Sequence, residues 1–287
     1  NPSAINNQTA NFSDGVGLIR SEQLFIKTGK HPHTIINNEK SKFVETAVND
    51  LTTLYHRYYS LKKQTPIITF RSCNLDTNQL RKLKSGESFE QQETNPFLGF
   101  RGALRAINKP NILKLEMDIL SRVNSNLDQP INLMLPFVRT GFELKQVWDQ
   151  IENLSASPVY QPPMWLQLNT PENLLNIEDY LSIPISAVCI NLKTVHALLH
   201  SIDPYSPDIY DHYSINHQLL TSMIKKVVRG CSELDHQIGV YFIMSEFDQQ
   251  LIEFASDQKI KGLIMPEKLL LQTYQFLTSQ SDKNVKH

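Results

Sequence analysis

Ile131-Asn-Leu-Met-Leu-Pro-Phe-Val138, then the amphipathic stretch Phe142–Leu154, then Pro163-Met-Trp-Leu-Gln-Leu168 is the segment that decides the fold. Two short apolar runs separated by one helical period read as strand, helix and parallel strand. The same alternation continues in both directions. Upstream lie the runs Gly15–Ile19, Pro66–Phe70 and Phe97–Phe100; downstream lie Ile185–Ile190, Ile238–Met244 and Ile260–Met265, giving eight in all. Helical spacing occupies Lys42–Tyr59, Ile112–Asn124, Pro171–Leu181, Tyr213–Leu234 and Phe247–Asp257. Within Ile112–Asn124, Leu113, Met117, Leu120 and Val123 recur at three and four residues, one face of a helix. Thr170 before Pro171 reads as an N-cap with proline in the first turn. Eight strand–helix units predict an α/β chain, a single (β/α)₈ TIM barrel spanning 1–287 as one domain. The polar stretch Leu80–Asn95 is expected outside the repeat, over the barrel mouth. Residues 30–40, rich in Pro and Asn, are expected to be a solvated loop whose His31 and His33 lack a third metal ligand.

Composition fits that size. The chain has 287 residues, 40% hydrophobic with 13 Phe and 10 Tyr, and α/β barrels take about 250 residues as one unit. Charge is balanced at 28 Lys+Arg against 29 Asp+Glu, without a basic run, which argues against nucleic-acid and membrane-surface binding. No apolar run reaches spanning length and the first residues do not form a signal peptide. Three cysteines, Cys73, Cys189 and Cys231, predict reduced thiols and a cytoplasmic protein. The Asn7 and Asn11 triplets match the glycosylation pattern but carry little weight in that compartment. Glycine is scarce, and neither a Gly-x-Gly-x-x-Gly nor a Walker-type loop occurs, so nucleotide chemistry would need another domain.

In a barrel of this type the residues just past each strand converge on one mouth, where active sites are built. Arg20, Arg71, Arg101 and Arg139 follow the first four runs, Gln167 lies near the end of the fifth, Lys193 follows the sixth and Met244 closes the seventh. Four guanidinium groups and an ammonium around one opening predict a site for a small, multiply charged anion. The structural alternative is that each arginine pairs with an acid such as Asp14, Glu22, Asp76 or Asp203. The fifth and sixth strand ends offer Gln167, Asn191, Lys193 and Thr194, not the hard carboxylate ligands that Mg²⁺ prefers.

These residues carry a resemblance. Asn95-Pro-Phe-Leu-Gly-Phe-Arg-Gly-Ala-Leu-Arg105, Asp14-Gly-Val-Gly-Leu-Ile-Arg-Ser-Glu22 and Leu135-Pro-Phe-Val-Arg-Thr140 are similar to stretches of phosphoenolpyruvate synthases, the pyruvate, water dikinases. Asn1-Pro2 resembles the start of their C-terminal phosphoenolpyruvate-binding barrel, and the likeness runs to about Leu270. In that family the barrel exchanges a phosphoryl group between phosphoenolpyruvate or pyruvate and a histidine on a mobile domain, which an ATP-grasp domain charges. The resemblance implies a domain of a larger protein or a stand-alone relative, a small anionic ligand (phosphoenolpyruvate, pyruvate or phosphate) and a homodimer. It assigns substrate binding to Arg20, Arg71, Arg101, Arg105 and Arg139.

The departures from the family pattern are as informative. The metal-binding Glu falls on Gln167 and the metal-binding Asp on Thr194, with Lys193 beside it, so no cofactor is expected where the active family uses Mg²⁺. A later arginine position falls in Asp203-Pro204-Tyr205, and the catalytic Cys position on Met244, whose thioether cannot relay a proton. The resulting expectation is an arginine-lined barrel, impaired in phosphoryl transfer. The alternatives are an active dikinase segment drawing on Glu172 or Glu246, and a non-catalytic dimerisation module.

Overall fold

The computed structural model describes residues 10–154, 161–213, 215, 217–234 and 238–284. Asn1-Pro2 and the Asn7 triplet lie outside them. The sheet has seven parallel strands in sequence order: β1 (Gly15–Arg20), β2 (Ile67–Arg71), β3 (Asn132–Leu135), β4 (Met164–Leu168), β5 (Ala187–Asn191), β6 (Gly239–Ile243) and β7 (Gly262–Ile264). It curls into a nearly closed barrel. A Cβ on Gly17 of β1 would come within 2.8 Å of the Ile264 side chain on β7, so the first and last strands face each other closely enough to require glycine there.

Helices surround the sheet: α1 (Glu22–Thr28), α2 (Pro32–Asn38), α3 (Lys40–Lys62), α4 (Thr77–Arg81), α5 (Gly102–Asn108), α6 (Asn111–Asn124), α7 (Gly141–Leu154), α8 (Pro171–Leu175), α9 (Leu192–Leu199), α10 (Pro207–Tyr210), α11 (His217–Ser232), α12 (Gln249–Asp257) and α13 (Glu267–Asn284). Their apolar stripes and the outward faces of the strands form one large core, including Phe70, Leu120, Leu133, Leu166, Val188, Ile224 and Phe242, each essentially inaccessible. A smaller cluster, Met134, Trp165, Ala187 and Cys189 with Tyr241 stacked on Trp165 at 4.5 Å, fills the barrel interior. Thr170 caps α8 in a capping box with Asn173, as its sequence predicts. All three cysteines are buried free thiols.

Two expectations are corrected. Phe97–Phe100 is no strand. Pro96 and Gly99 close a turn (Gly99 N to Pro96 O, 3.2 Å), Glu93 Oε1 accepts from the Phe100 N–H (2.9 Å), and the predicted third unit leaves the sheet. Among the described residues the barrel therefore has seven strands rather than eight. Residues 30–40 are not a loop either: His31 caps α2 by accepting from the His33 N–H, and Pro32 sits at its first position, where a missing N–H costs nothing. His31 is buried, 3.3 Å from Glu90. The Leu80–Asn95 stretch, outside the repeat as expected, holds the end of α4 and a short 3₁₀ turn at Gly86–Ser88.

No described helix is long and apolar enough to cross a membrane.

Candidate functional site at the barrel mouth

Side-chain alternation along the strands decides what reaches the mouth. Trp165 and Cys189, in the interior cluster, face inward, so Gln167, two residues past Trp165 and in register with Cys189, faces inward one layer higher. Arg20 and Arg71 are register partners at the ends of β1 and β2. Arg101 and Arg139 do not end strands. Arg101 is the N-cap residue of α5, and Arg139 lies four residues past β3.

The mouth is built around a strained turn. After β3, Phe137 adopts a left-handed backbone (φ 51°), unusual for an aromatic residue, and Asn169 Oδ1 holds its N–H at 2.9 Å. Gly102 (φ 56°) fits against this turn; a Cβ there would meet the Pro136 carbonyl at 2.5 Å. The close approach sets Arg101 and Arg139 over the Phe137 ring, at 5.0 and 4.8 Å from its centroid. Phe97 packs edge-on against Phe137 at 5.7 Å and against the exposed Tyr205 at 5.6 Å. Two guanidinium groups on one ring are held by oxygens rather than acids. Arg101 donates to Asn74 Oδ1 (3.1 Å) and the Asn74 carbonyl (2.8 Å), Arg139 to the carbonyls of Leu98 (3.0 Å) and Gly99 (2.6 Å). Burial and the neighbouring Arg101 charge lower the Arg139 pKa against the pull of Glu143 and Glu93.

The other arginines divide differently. Arg71 is buried in an ion pair with Glu22 on α1. Arg105 pairs with Glu90 at 2.8 Å and donates to Thr77 Oγ1 and the Phe100 carbonyl. Glu90 gathers Arg105, Lys109 and His31. Burial alone would raise its pKa, but hydrogen bonds from His31 and Arg105 and the charges of Arg105 and Lys109 hold it at about 2. Arg20 is exposed and makes no ion pair among the described residues. Sequence reasoning named Glu22 as an acid partner but missed Glu90, hidden in the polar stretch before Phe97.

Several buried polar atoms end without a partner. Arg71 Nε, Arg101 Nη1, Arg105 Nε, Arg139 Nη1 and both amide atoms of Gln167 are buried and unbonded. On the opposite side, Thr194 is buried with its N–H on Asn191 Oδ1 (3.2 Å), Lys193 Nζ lies 4.6 Å from the Tyr210 ring, and Met244 is buried. Glu172, which could have supplied a replacement carboxylate, accepts from Tyr180 and from the Asn173 and Asn176 amides. Glu246 is exposed. Among the described residues no group of three His, Cys, Asp or Glu side chains is arranged to hold a metal ion.

A nearly closed parallel sheet with surrounding helices and arginines at the ends of its first strands makes this an α/β barrel with a cationic side to its mouth. The sequence places it more narrowly: residues 1–265 match the family described as PEP-utilising enzyme, PEP-binding domain, and the chain belongs to that family. It is similar to a probable phosphoenolpyruvate synthase of Methanocaldococcus jannaschii, 26% identical over 81% of this chain and 19% of that protein. A phosphoenolpyruvate synthase of Pseudomonas aeruginosa is 23% identical over 94% of this chain and 37% of its own length. The chain thus spans between about a fifth and two fifths of these relatives. Among solved structures, a HpcH/Hpal aldolase/citrate lyase family protein from Burkholderia cenocepacia aligns over 99% of this chain and 100% of its own at 8% identity, TM-score 0.46.

Proposed function

We propose that the chain is a phosphoenolpyruvate-synthase-like barrel that binds a small phosphate- or carboxylate-bearing anion at Arg20, Arg71, Arg101 and Arg139, without metal-dependent phosphoryl transfer. The observation that carries this reading is that Arg71, Arg101 and Arg139 each keep a buried guanidinium nitrogen without an acceptor, beside the exposed Arg20. A buried donor left unmade costs about 1–3 kcal/mol, and an anion supplies the missing oxygens with charge-assisted bonds. Family membership supports the ligand class, phosphoenolpyruvate or pyruvate. The donor set does not fit Mg²⁺. A Gln amide and a Thr hydroxyl stand in the ligand positions, a lysine stands beside them, and a hard cation prefers carboxylate oxygens. No step through a metal follows from these residues. Met244, a thioether, offers no proton to an enol.

A structural role suits Arg105, whose guanidinium is committed to Glu90, Thr77 and Phe100. Arg20 discriminates between binding and scaffolding, because its replacement breaks no pair. Sulfate, phosphate or phosphoenolpyruvate at millimolar concentration should raise the melting temperature of the wild type, with or without Mn²⁺. Arg20→Ala should keep the fold and lose most of that rise. Equal shifts in both proteins would remove Arg20 from the site, and absence of any anion-specific shift would end the binding reading.

A further inference from the structure

One buried carboxyl lies behind the arginines and belongs to none of their ion pairs. Glu116 of α6 is 1% exposed, on the apolar stripe between Leu113 and Leu120. It grips the turn that leaves β2. The Ser72 hydroxyl donates to Oε2, and the Cys73 N–H donates to Oε1 at 2.8 Å. The residue before this turn is Arg71, paired with Glu22; the residue after it is Asn74, which holds Arg101 through both its side chain and its carbonyl. Glu116 therefore fixes the three-residue link between two of the proposed anion-binding arginines.

We propose that anion binding at Arg71 and Arg101 is coupled to protonation of Glu116, so that the barrel takes up a proton as the anion enters. The inference rests on the anion-binding reading above. Its electrostatics are local. Around Glu116 stand Ser21, Glu22 from α1, and Ser72 and Cys73 from the turn after β2; Arg71 reaches this group through its ion pair with Glu22, and Arg105 from α5 faces Cys73. Helices α2, α3 and α7 also pack against α6, through buried apolar residues of the same core such as Ile35, Leu51 and Leu144. Lys40 of α3 reaches α6 only at the partly exposed Asp118. The neighbourhood thus holds two carboxylates, and one guanidinium, Arg71, sits in direct contact with one of them.

An anion that engages Arg71 shares the charge that offsets Glu22, and the second carboxylate becomes harder to keep ionised. The cheapest response is a proton on Glu116, which can still accept from the Cys73 N–H when neutral. Burial, partly opposed by hydrogen bonds and reinforced by Glu22, already pushes this carboxyl up to about 7. Cys73 cannot compete for the role, because burial and the two carboxylates push its thiol far upward. A further rise of about one unit at Glu116 corresponds to uptake of about half a proton per anion near pH 7.5.

Sulfate is the probe, because it does not titrate near neutrality as phosphate does. Lightly buffered protein at pH 7.5 receives sodium sulfate, or sodium chloride at equal ionic strength, and a pH-stat records the proton balance. The expected result is sulfate-specific uptake by the wild type, and sulfate binding without uptake by Glu116→Gln. Sulfate-dependent thermal stabilisation without uptake would overturn the coupling and leave the binding site standing, as would equal uptake by the variant. No sulfate-specific stabilisation would overturn both together. If Glu116→Gln does not fold, the wild type answers: the ¹³C carboxyl resonance of Glu116 must titrate at higher pH with sulfate, and an unmoved midpoint rejects the coupling.

Discussion

The two sides of the barrel mouth are made of different chemistry. The side formed by β1 to β3 and residues 72–110 is dense in charge: Arg71 with Glu22, and Arg105, Lys109 and His31 around Glu90, all but Lys109 largely buried. The side formed by β4 to β6 carries uncharged polar groups instead: Gln167, Asn169, Asn173 and Thr194 are buried, as is Met244, the lysine there lies over an aromatic ring, and Asp248 stands further out against His217 at 2.8 Å. The difference teaches which residues depend on one another. On the charged side each buried guanidinium either neutralises an acid or is wrapped in carbonyls, so removing one member strands another. On the other side the buried polar groups Gln167, Asn169, Asn173 and Thr194 are uncharged, so each is replaceable at the cost of its own hydrogen bonds.

The largest effect should come from breaking the charged side at its most buried pair. Arg105→Met keeps the apolar stem of the side chain but leaves Glu90 with His31 and a half-exposed Lys109. Stranding a buried charge costs about 3–5 kcal/mol, and chemical denaturation should show a loss of that order. A loss below about 1 kcal/mol would mean that Lys109 and water replace the guanidinium, and that the two sides are less different than their burial indicates.

Acid should probe the same network more gently. The Glu90 pKa is held at about 2 in the folded chain against an ordinary value of 4.5. A depressed acid contributes stability that is complete above the unfolded value and is lost as pH falls through the folded one. The window is therefore pH 4.5 down to about 2, and the contribution is on the order of 3 kcal/mol. Stability measured across that window should fall more steeply for the wild type than for Glu90→Gln. Parallel curves would place the acid sensitivity elsewhere.

Much of this architecture was legible because it is repetitive. Strands show as short apolar runs and helices as stripes of period 3.6, and Thr170 announces α8 by a local rule that tertiary packing does not overrule. Phe97–Phe100 failed for the opposite reason. Four residues containing a glycine have no period to read, and their shape is set by distant partners: Arg139 on the Leu98 and Gly99 carbonyls and Arg101 near the Phe97 ring. The helix at Pro32 could have been found from His31 as a capping acceptor and proline at the first position; proline and asparagine were weighted as loop formers instead. At the site, the arginines were visible as residues but their counter-ions were not. Glu90 sits in a stretch without periodicity. Glu116 carried a signal that went unread, a carboxyl in register with Leu113 and Leu120 on a buried stripe.

The smallest effect, and the one of opposite sign, belongs to Gln167. Its side chain is 1% exposed and neither amide atom finds a partner, although its ladder neighbour is Cys189 and the layer below is Trp165 with Tyr241. An amide in such surroundings has lost its water hydrogen bonds without replacing them, at a cost of about 1–3 kcal/mol. Gln167→Met has nearly the same length and shape and removes both unsatisfied atoms while keeping the dispersion contacts. The ligand-free variant should therefore be more stable than the wild type, by about 1 kcal/mol in denaturant titration. The same change on the charged side would be damaging, so a gain here and a loss at Arg105 would establish the division of the mouth. If Gln167→Met instead lost stability, the amide would have to be satisfied in solution, by ordered water or by a bound anion. The test between those two is repetition in excess sulfate: water in the site predicts the same loss with and without sulfate, whereas an anion touching Gln167 predicts a loss that grows as sulfate is added, because only the wild type gains from the ligand.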